Sequence, residues 1–176
     1  MRNTYSRFAA AIAVLSLAAC STVVPPPTQQ PSKPQPQAPP PKPVAGDWTE
    51  WPIAPGGWVY RQDDRGSIAL FGPPRADATL TVRCDKAQRK IYISRAGQIA
   101  AGGQMTLRAS SGLQSYNAGN SGGSPSYAAI AMATNDFMLD RIASTRGRFA
   151  VETTGVASIA VPIWPEFTRV VEDCRG

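Results

Sequence analysis

Apolar and polar residues alternate one by one through much of residues 67–161, as they do in strands with one face in a core. Gly, Asp, Asn and Pro lie between the alternating segments, where turns are expected. The pattern therefore predicts a mainly antiparallel architecture, either a single sheet or a small β-sandwich. The predicted inward rows are Ile68 and Leu70; Leu80, Val82 and Cys84; Ile91 and Ile93; Met105, Leu107 and Ala109; Phe149 and Val151; Ile159 and Val161.

Two segments follow a helical period instead. Asn135 is expected to cap a first helix that ends near 146–147, with Phe137 beside the apolar stripe. Pro165 and Glu166 suit the first turn of a second helix, at the end of the chain. The sequence thus predicts an α+β fold, mainly β, in which a C-terminal helix packs on the sheet. The two apolar stripes are Met138, Leu139 and Ile142, and then Phe167, Val170, Val171 and Cys174.

The first twenty residues have a different pattern. Arg2 and Arg7 precede an uncharged, mainly apolar run over 8–18, which is shorter than the roughly 20 residues of a membrane span. The run ends in Leu17-Ala18-Ala19-Cys20, which resembles the lipobox of bacterial lipoproteins. That resemblance implies removal of residues 1–19 as a signal peptide. It also implies a diacylglycerol and fatty acyl chains such as palmitate on Cys20.

The residue after Cys20 bears on the membrane that the lipid enters. In lipoproteins of this kind an Asp at that place favours the inner membrane, whereas this chain has Ser21. The expected location is therefore the outer membrane, with the protein facing the periplasm, although the inner membrane stays open as an alternative.

A proline-rich stretch follows. Ten of the twenty residues 25–44 are Pro, and Gln, Lys, Thr and Ser occupy most other positions. Such a stretch favours an extended polyproline II conformation and cannot form a core, so a disordered linker is predicted. At ~3.1 Å per residue it reaches about 60 Å. The predicted organisation is a signal peptide over 1–19, a lipidated linker over 20–46 and one globular domain over 47–176.

Two cysteines remain once Cys20 is assigned to lipid. Cys84 and Cys174 each lie on a predicted core face, and an exported protein reaches an oxidising compartment. We therefore predict a Cys84–Cys174 disulfide. Two buried free thiols are the alternative, and a redox pair is less favoured because there is no C-x-x-C motif.

Most of the net positive charge of the chain lies outside the predicted domain. The net charge is +6 overall but only +2 over 45–176. A group of cations at a predicted hairpin, which also contains Asp85, is interpreted as a solvated rim, and an anion-binding patch is the alternative. No nucleic-acid partner is predicted. The cations at the end of the first helix are expected to cap and pair locally, with a ligand-binding cluster as the alternative. The rim comprises Arg83, Lys86, Arg89, Lys90 and Arg95, and the second group comprises Arg141, Arg146 and Arg148.

The sequence contains no histidine, which removes the commonest general base and metal ligand. The stretch 119–123 fits G-x-S-x-G, but it lacks the apolar strand, helix and histidine of a nucleophile elbow. Asp136 and Asp140 form an i, i+4 pair that is expected to be solvated, and Asp140 is expected to meet an Arg. We predict no catalytic residue, metal or cofactor. A carboxylate or Ser121 enzyme is the alternative.

Three tryptophans lie close together in the sequence before the first strand. Trp48, Trp51 and Trp58 are separated by Pro and Gly, and their indoles are expected to cover one end of the core. An exposed aromatic ligand surface is the alternative interpretation.

Residues 79–174 resemble small periplasmic domains of the invasion-associated locus B type and of type VI secretion-associated accessory proteins. The similarity rests on LTVRCD, KIYISRA, MTLRAS, NDFMLDRIAST, GRFAVET and WPEFTRVVEDC in that order. It covers about half of the chain. The resemblance implies a disulfide-linked β-rich domain with an accessory or assembly role in the envelope and no catalytic residues.

The leading functional hypothesis is a non-enzymatic envelope lipoprotein whose tethered domain binds a protein or a glycan. An envelope hydrolase or glycan-modifying enzyme that uses Ser121, Asp136 or Asp140 is the second. A largely structural envelope protein is the third.

Overall fold

The computed structural model describes residues 46–176. The predicted signal peptide, Cys20 and almost all of the linker therefore lie outside the described residues. The part that is described is mainly β with two helices, as the alternation predicts. Its helices are α1, Phe137–Ala143, and α2, Pro165–Arg175. No helix within 46–176 is long and apolar enough to cross a membrane.

The strands form two sheets, and the strand pairs are antiparallel. The larger sheet has the order β1-β2-β3-β4-β8-β7, and the smaller has the order β10-β9-β5-β6. The bounds are β1 Gly57–Asp63, β2 Gly66–Gly72, β3 Leu80–Asp85, β4 Lys90–Ala96, β5 Gln104–Ala109, β6 Gly112–Asn117, β7 Gly119–Asn120, β8 Tyr127–Ala133, β9 Arg148–Thr153 and β10 Val156–Pro162.

One main core joins the inner faces of both sheets with the buried sides of α1 and α2. Most predicted inward rows are buried, including those of β3, β4, β5 and β9. The α2 stripe is also buried and packs chiefly on β2 and β3. In β10, Val161 is buried, whereas Ile159 is only partly buried.

The predicted inward row of β2 is wrong. Ile68 and Leu70 lie half-buried on the outer face, while Ser67, Ala69 and Phe71 face the core. The register places Phe71 opposite Trp58, and their ring centroids lie 5.3 Å apart. Successive strand residues face opposite sides, so either Ile68 and Leu70 or Ala69 and Phe71 can face the core. Burying the two large rings offsets the cost of leaving two aliphatic side chains half-exposed.

The predicted cap and end of α1 also need correction. Asp136, not Asn135, is the N-cap, and its carboxylate accepts a 2.9 Å hydrogen bond from the backbone N–H of Met138. The helix ends at Ala143, earlier than the predicted 146–147. The stripe Met138, Leu139 and Ile142 is buried as expected, and Phe137 is half-exposed.

The cation rim at the β3–β4 hairpin was predicted correctly only in part. Arg83 pairs with Asp63 at 2.7 Å on the outer face. Arg95 instead is buried, and its guanidinium donates to the carbonyls of Thr79, Ala96 and Ala157. Burial lowers the pKa of Arg95. Arg95 thus holds neighbouring segments together and does not belong to a solvated rim.

The predicted disulfide is present. Cys84 of β3 and Cys174 in the last turn of α2 are bonded, with their Cα atoms 5.4 Å apart and 90 positions apart in sequence. Both residues belong to the main core. The bond therefore ties the end of the chain to the middle of the larger sheet.

Candidate ligand-binding face

The three tryptophans do not form one cluster. Trp58 lies in the main core, and its indole N–H donates a 2.8 Å hydrogen bond to the carbonyl of Pro162. Trp51 and Trp48 pack instead on the outer face of the smaller sheet, against Ala150 and Ala160. Trp48 is partly exposed. The expectation that all three indoles cover one end of the core is therefore wrong, and two of them form a separate aromatic surface.

A short strap holds these two rings on the sheet. Residues 47–54 run from a 3-10 turn, Trp48–Glu50, to the edge of β10. There Ala54 donates its N–H to the carbonyl of Ala160 at 2.8 Å. Arg148 of β9 donates to the carbonyl of Trp51 at 2.5 Å. The small side chains of Ala150 and Ala160 leave room for the Trp51 ring, which is only 7% exposed.

Charged groups border the exposed ring. Arg108 of β5 and Glu152 of β9 form an ion pair with nitrogen–oxygen distances of 2.5 and 3.4 Å, and both side chains are partly exposed. Asp47 caps the 3-10 turn, and its carboxylate accepts hydrogen bonds from the backbone N–H and the hydroxyl of Thr49, each at 2.9 Å. These bonds hold the pKa of Asp47 below its ordinary value. The border therefore presents fixed donors and acceptors at neutral pH.

Two small cavities adjoin Trp48. The first has a volume of about 320 Å³, and its walls include Trp51 and Glu152. The second has a volume of about 330 Å³, and its walls include Leu113, which is 49% exposed. Both cavities share Asp47, Trp48 and Arg108. We call this surface the Trp48 face and define it by Asp47, Trp48, Trp51, Arg108, Leu113 and Glu152.

One polar atom in this surface is left without a partner. The Nε1 atom of Trp51 is buried, and it makes no hydrogen bond in the described part of the chain. A buried N–H without an acceptor is costly, and such groups in native structures call for a specific explanation. Trp51 is also a wall of the first cavity, which makes a ligand there a candidate acceptor.

A larger depression of about 760 Å³ lies along α2, with Tyr60 and Trp164 among its walls. Two of its polar side chains contact each other or a neighbour, whereas the buried Oε2 atom of Glu166 has no hydrogen-bond partner among the described residues. The Tyr60 hydroxyl donates to Asp173 at 2.6 Å, and the Arg169 guanidinium lies 4.1 Å from the centre of the Tyr60 ring. The walls of this depression are mostly residues of α2.

The residues of the predicted enzyme alternative have local structural contacts. Ser121 is exposed, and its hydroxyl donates to the carbonyl of Gly122. Asp136 caps α1 and also accepts a 2.9 Å hydrogen bond from Tyr116, so the prediction that it is solvated is wrong. Asp140 pairs with Arg175 at 2.7 Å, in line with the predicted arginine contact. None of these three residues lines the two cavities beside Trp48.

The side chains of the arginines near the end of α1 have different surroundings. Arg141 lies over the ring of Phe137 at 4.7 Å, Arg148 binds the strap, and Arg146 is exposed. Among residues 46–176, no group of three or more Cys, Asp or Glu side chains is placed to hold a metal ion.

Sequence reasoning identified Trp48 and Trp51 as a possible aromatic surface but missed Arg108, Leu113 and Glu152. All three lie at outward positions of predicted strands or of segments next to them, so the alternation could have predicted that these side chains are exposed. These three side chains come together because β5 pairs with both β6 and β9. Alternation alone does not reveal that pairing.

Comparison of the chain with protein-family models, with curated proteins and with solved structures finds no match. The resemblance to lipoproteins and to small periplasmic accessory domains therefore stays a prediction from the residues.

Proposed function

We propose that this chain is a lipid-anchored envelope protein whose β-rich domain binds a partner, a protein or a glycan, through the Trp48 face. The observation that carries the binding site is the arrangement around Trp48, where a partly exposed indole lies between two cavities and beside a fixed ion pair. Binding sites commonly combine apolar or aromatic walls with a few well-placed polar groups.

The position of the face relative to the linker supports the tethered role. Gly46, the first described residue and the last of the predicted linker, lines the first cavity. The linker would then join the domain at the binding face. A lipid on Cys20 would hold that face within about 80 Å of the membrane surface, at ~3.1 Å per residue over the 26 steps from Cys20 to Gly46.

Anchoring of this kind needs more than one acyl chain, because a single chain binds membranes only marginally. The diacylglycerol and further acyl chain that the lipobox implies for Cys20 meet that requirement. The outer membrane, facing the periplasm, is the location that Ser21 favours.

Replacement of Trp48 by Ala is expected to release the partner. Protein extracted from intact cells in mild detergent is compared by size-exclusion chromatography with light scattering. Wild type should elute in a larger particle than the lone chain, whereas Trp48→Ala should elute alone, because the ring separating the two cavities is gone.

The matched control for that experiment is Trp164→Ala, which removes an indole that is 44% exposed on another surface. This variant should behave as wild type. Equal loss of the particle in both variants would contradict binding at the Trp48 face, and elution of wild type at the size of the lone chain would exclude a protein partner there.

A further inference from the structure

The Trp48 face has the features of a site for sugar rings, and this inference rests on the proposed function. We propose that it binds a neutral oligosaccharide carrying acetamide groups, with two neighbouring sugar rings on either side of Trp48.

The shape favours small rings joined in a chain. The two cavities measure about 320 and 330 Å³ and share Trp48 and Arg108. Each lies at the small end of the range for ligand sites, which is about 300–1,000 Å³. A protein partner typically covers about 800 Å² of one continuous surface. Two adjoining cups around a single indole fit a disaccharide unit better, since the C–H face of a sugar ring packs flat on an aromatic ring.

The charges favour a neutral ligand rich in hydroxyl groups. The first cavity is lined by two carboxylates, Asp47 and Glu152, against one guanidinium, Arg108. A phosphate or another anion would meet net negative charge there. In contrast, sugar hydroxyls both donate and accept, so they can bind the free N–H groups of Arg108 and the free lone pairs of Glu152 without breaking their ion pair.

The unpartnered donor favours an acetamide. Trp51 lines the first cavity, and its buried indole N–H has no acceptor among the described residues. Carbonyl oxygens are good acceptors for a buried N–H, and the acetamide of an N-acetylated hexosamine provides one. Binding would then remove the cost of the orphaned group.

The test uses the four indole N–H signals of the full-length protein carrying Cys20→Ala, which lacks the lipid attachment site. Chitotetraose, a chain of N-acetylated hexosamines, is titrated while ¹H–¹⁵N spectra are recorded. The signals of Trp48 and Trp51 should move, that of Trp51 most. The signals of Trp58, already bonded to Pro162, and of Trp164, on another surface, should stay.

Matched ligands and variants sharpen the result. Cellotetraose, which has the same linkage but no acetamide, should bind at least about tenfold more weakly. Trp48→Ala should weaken chitotetraose binding by about tenfold or more, and Trp164→Ala should leave it unchanged. Equal binding of the two sugars would overturn the assignment of the acetamide to Trp51.

The inference and the proposed function fail in different ways. If chitotetraose leaves all four indole signals in place while the Trp48-dependent particle persists in cells, the partner is a protein and only the glycan inference is overturned. If residues 25–44 fill the face themselves, their deletion will move the Trp48 and Trp51 signals without any sugar. Failure of both the sugar titration and the cellular particle would overturn the proposed function as well.

Discussion

Removal of the Cys84–Cys174 disulfide is expected to destabilise the domain by about 4–5 kcal/mol. The bond closes a loop of 90 positions, and the chain-entropy model assigns a loop of that length a stabilisation of this size. A small domain has a total stability of about 5–15 kcal/mol, so the loss would leave much of the protein unfolded near physiological temperature.

The measurement is denaturant unfolding of Cys84→Ala/Cys174→Ala, with Cys20→Ala in every sample so that no other thiol interferes. Wild type unfolded in the presence of a reductant is the matched control, because it loses the cross-link but keeps both sulfur atoms in the core. Reduced wild type and the double variant should both be strongly destabilised. A change below about 1 kcal/mol in either would contradict a structural role for the bond.

Phe167→Ala is expected to destabilise the domain by about 3–5 kcal/mol, the usual cost of removing a fully buried aromatic side chain. Phe167 is the first buried residue of α2, and its ring centroid lies 5.6 Å from that of Phe149 in β9. It therefore joins the helix to the smaller sheet, while the disulfide at the other end joins it to the larger one.

The control for Phe167→Ala is the same substitution at another helical phenylalanine. Phe137 in α1 is 49% exposed and lies under the Arg141 guanidinium, so Phe137→Ala should cost less than about 1 kcal/mol. Thermal or denaturant unfolding of the two variants gives the comparison. Similar losses in both would mean that α2 does not depend on Phe167 for its packing.

The elements that sequence reasoning predicted well are those with a repeating pattern. Alternation over β3, β4, β5 and β9, and the i, i+3, i+4, i+7 stripe of α2, each have one favourable way to bury their apolar side chains. The disulfide followed from the two remaining cysteines lying on such faces. Those predictions needed only local periodicity and the assumption of export.

The errors arose where a distant partner decides the outcome. In β2, the alternation of Ile68 and Leu70 is equally compatible with either face, and the register with Trp58 selects the face with Phe71. Arg95 was expected at a solvated rim because the distant carbonyls of Thr79 and Ala157, which accept its hydrogen bonds, are not visible in a linear pattern. The Trp48 face depends in the same way on strand pairing, which places Arg108 and Leu113 opposite each other.

The proposal that a lipid-anchored domain presents the Trp48 face to a partner is tested most directly by photo-crosslinking in intact cells. A diazirine analogue of leucine is placed at position 113, which lines the second cavity and leaves the Trp48 ring in place, or in separate strains at Phe137 or Trp164, which are exposed on other surfaces. A diazirine inserts into protein and glycan alike, so either kind of partner gives an adduct. Each strain is compared with one that also carries Cys20→Ala.

We expect an adduct at position 113, little at positions 137 and 164, and a marked loss of the adduct when Cys20 is replaced. Equal adducts at all three positions, or no adduct at position 113 in the anchored protein, would contradict the account.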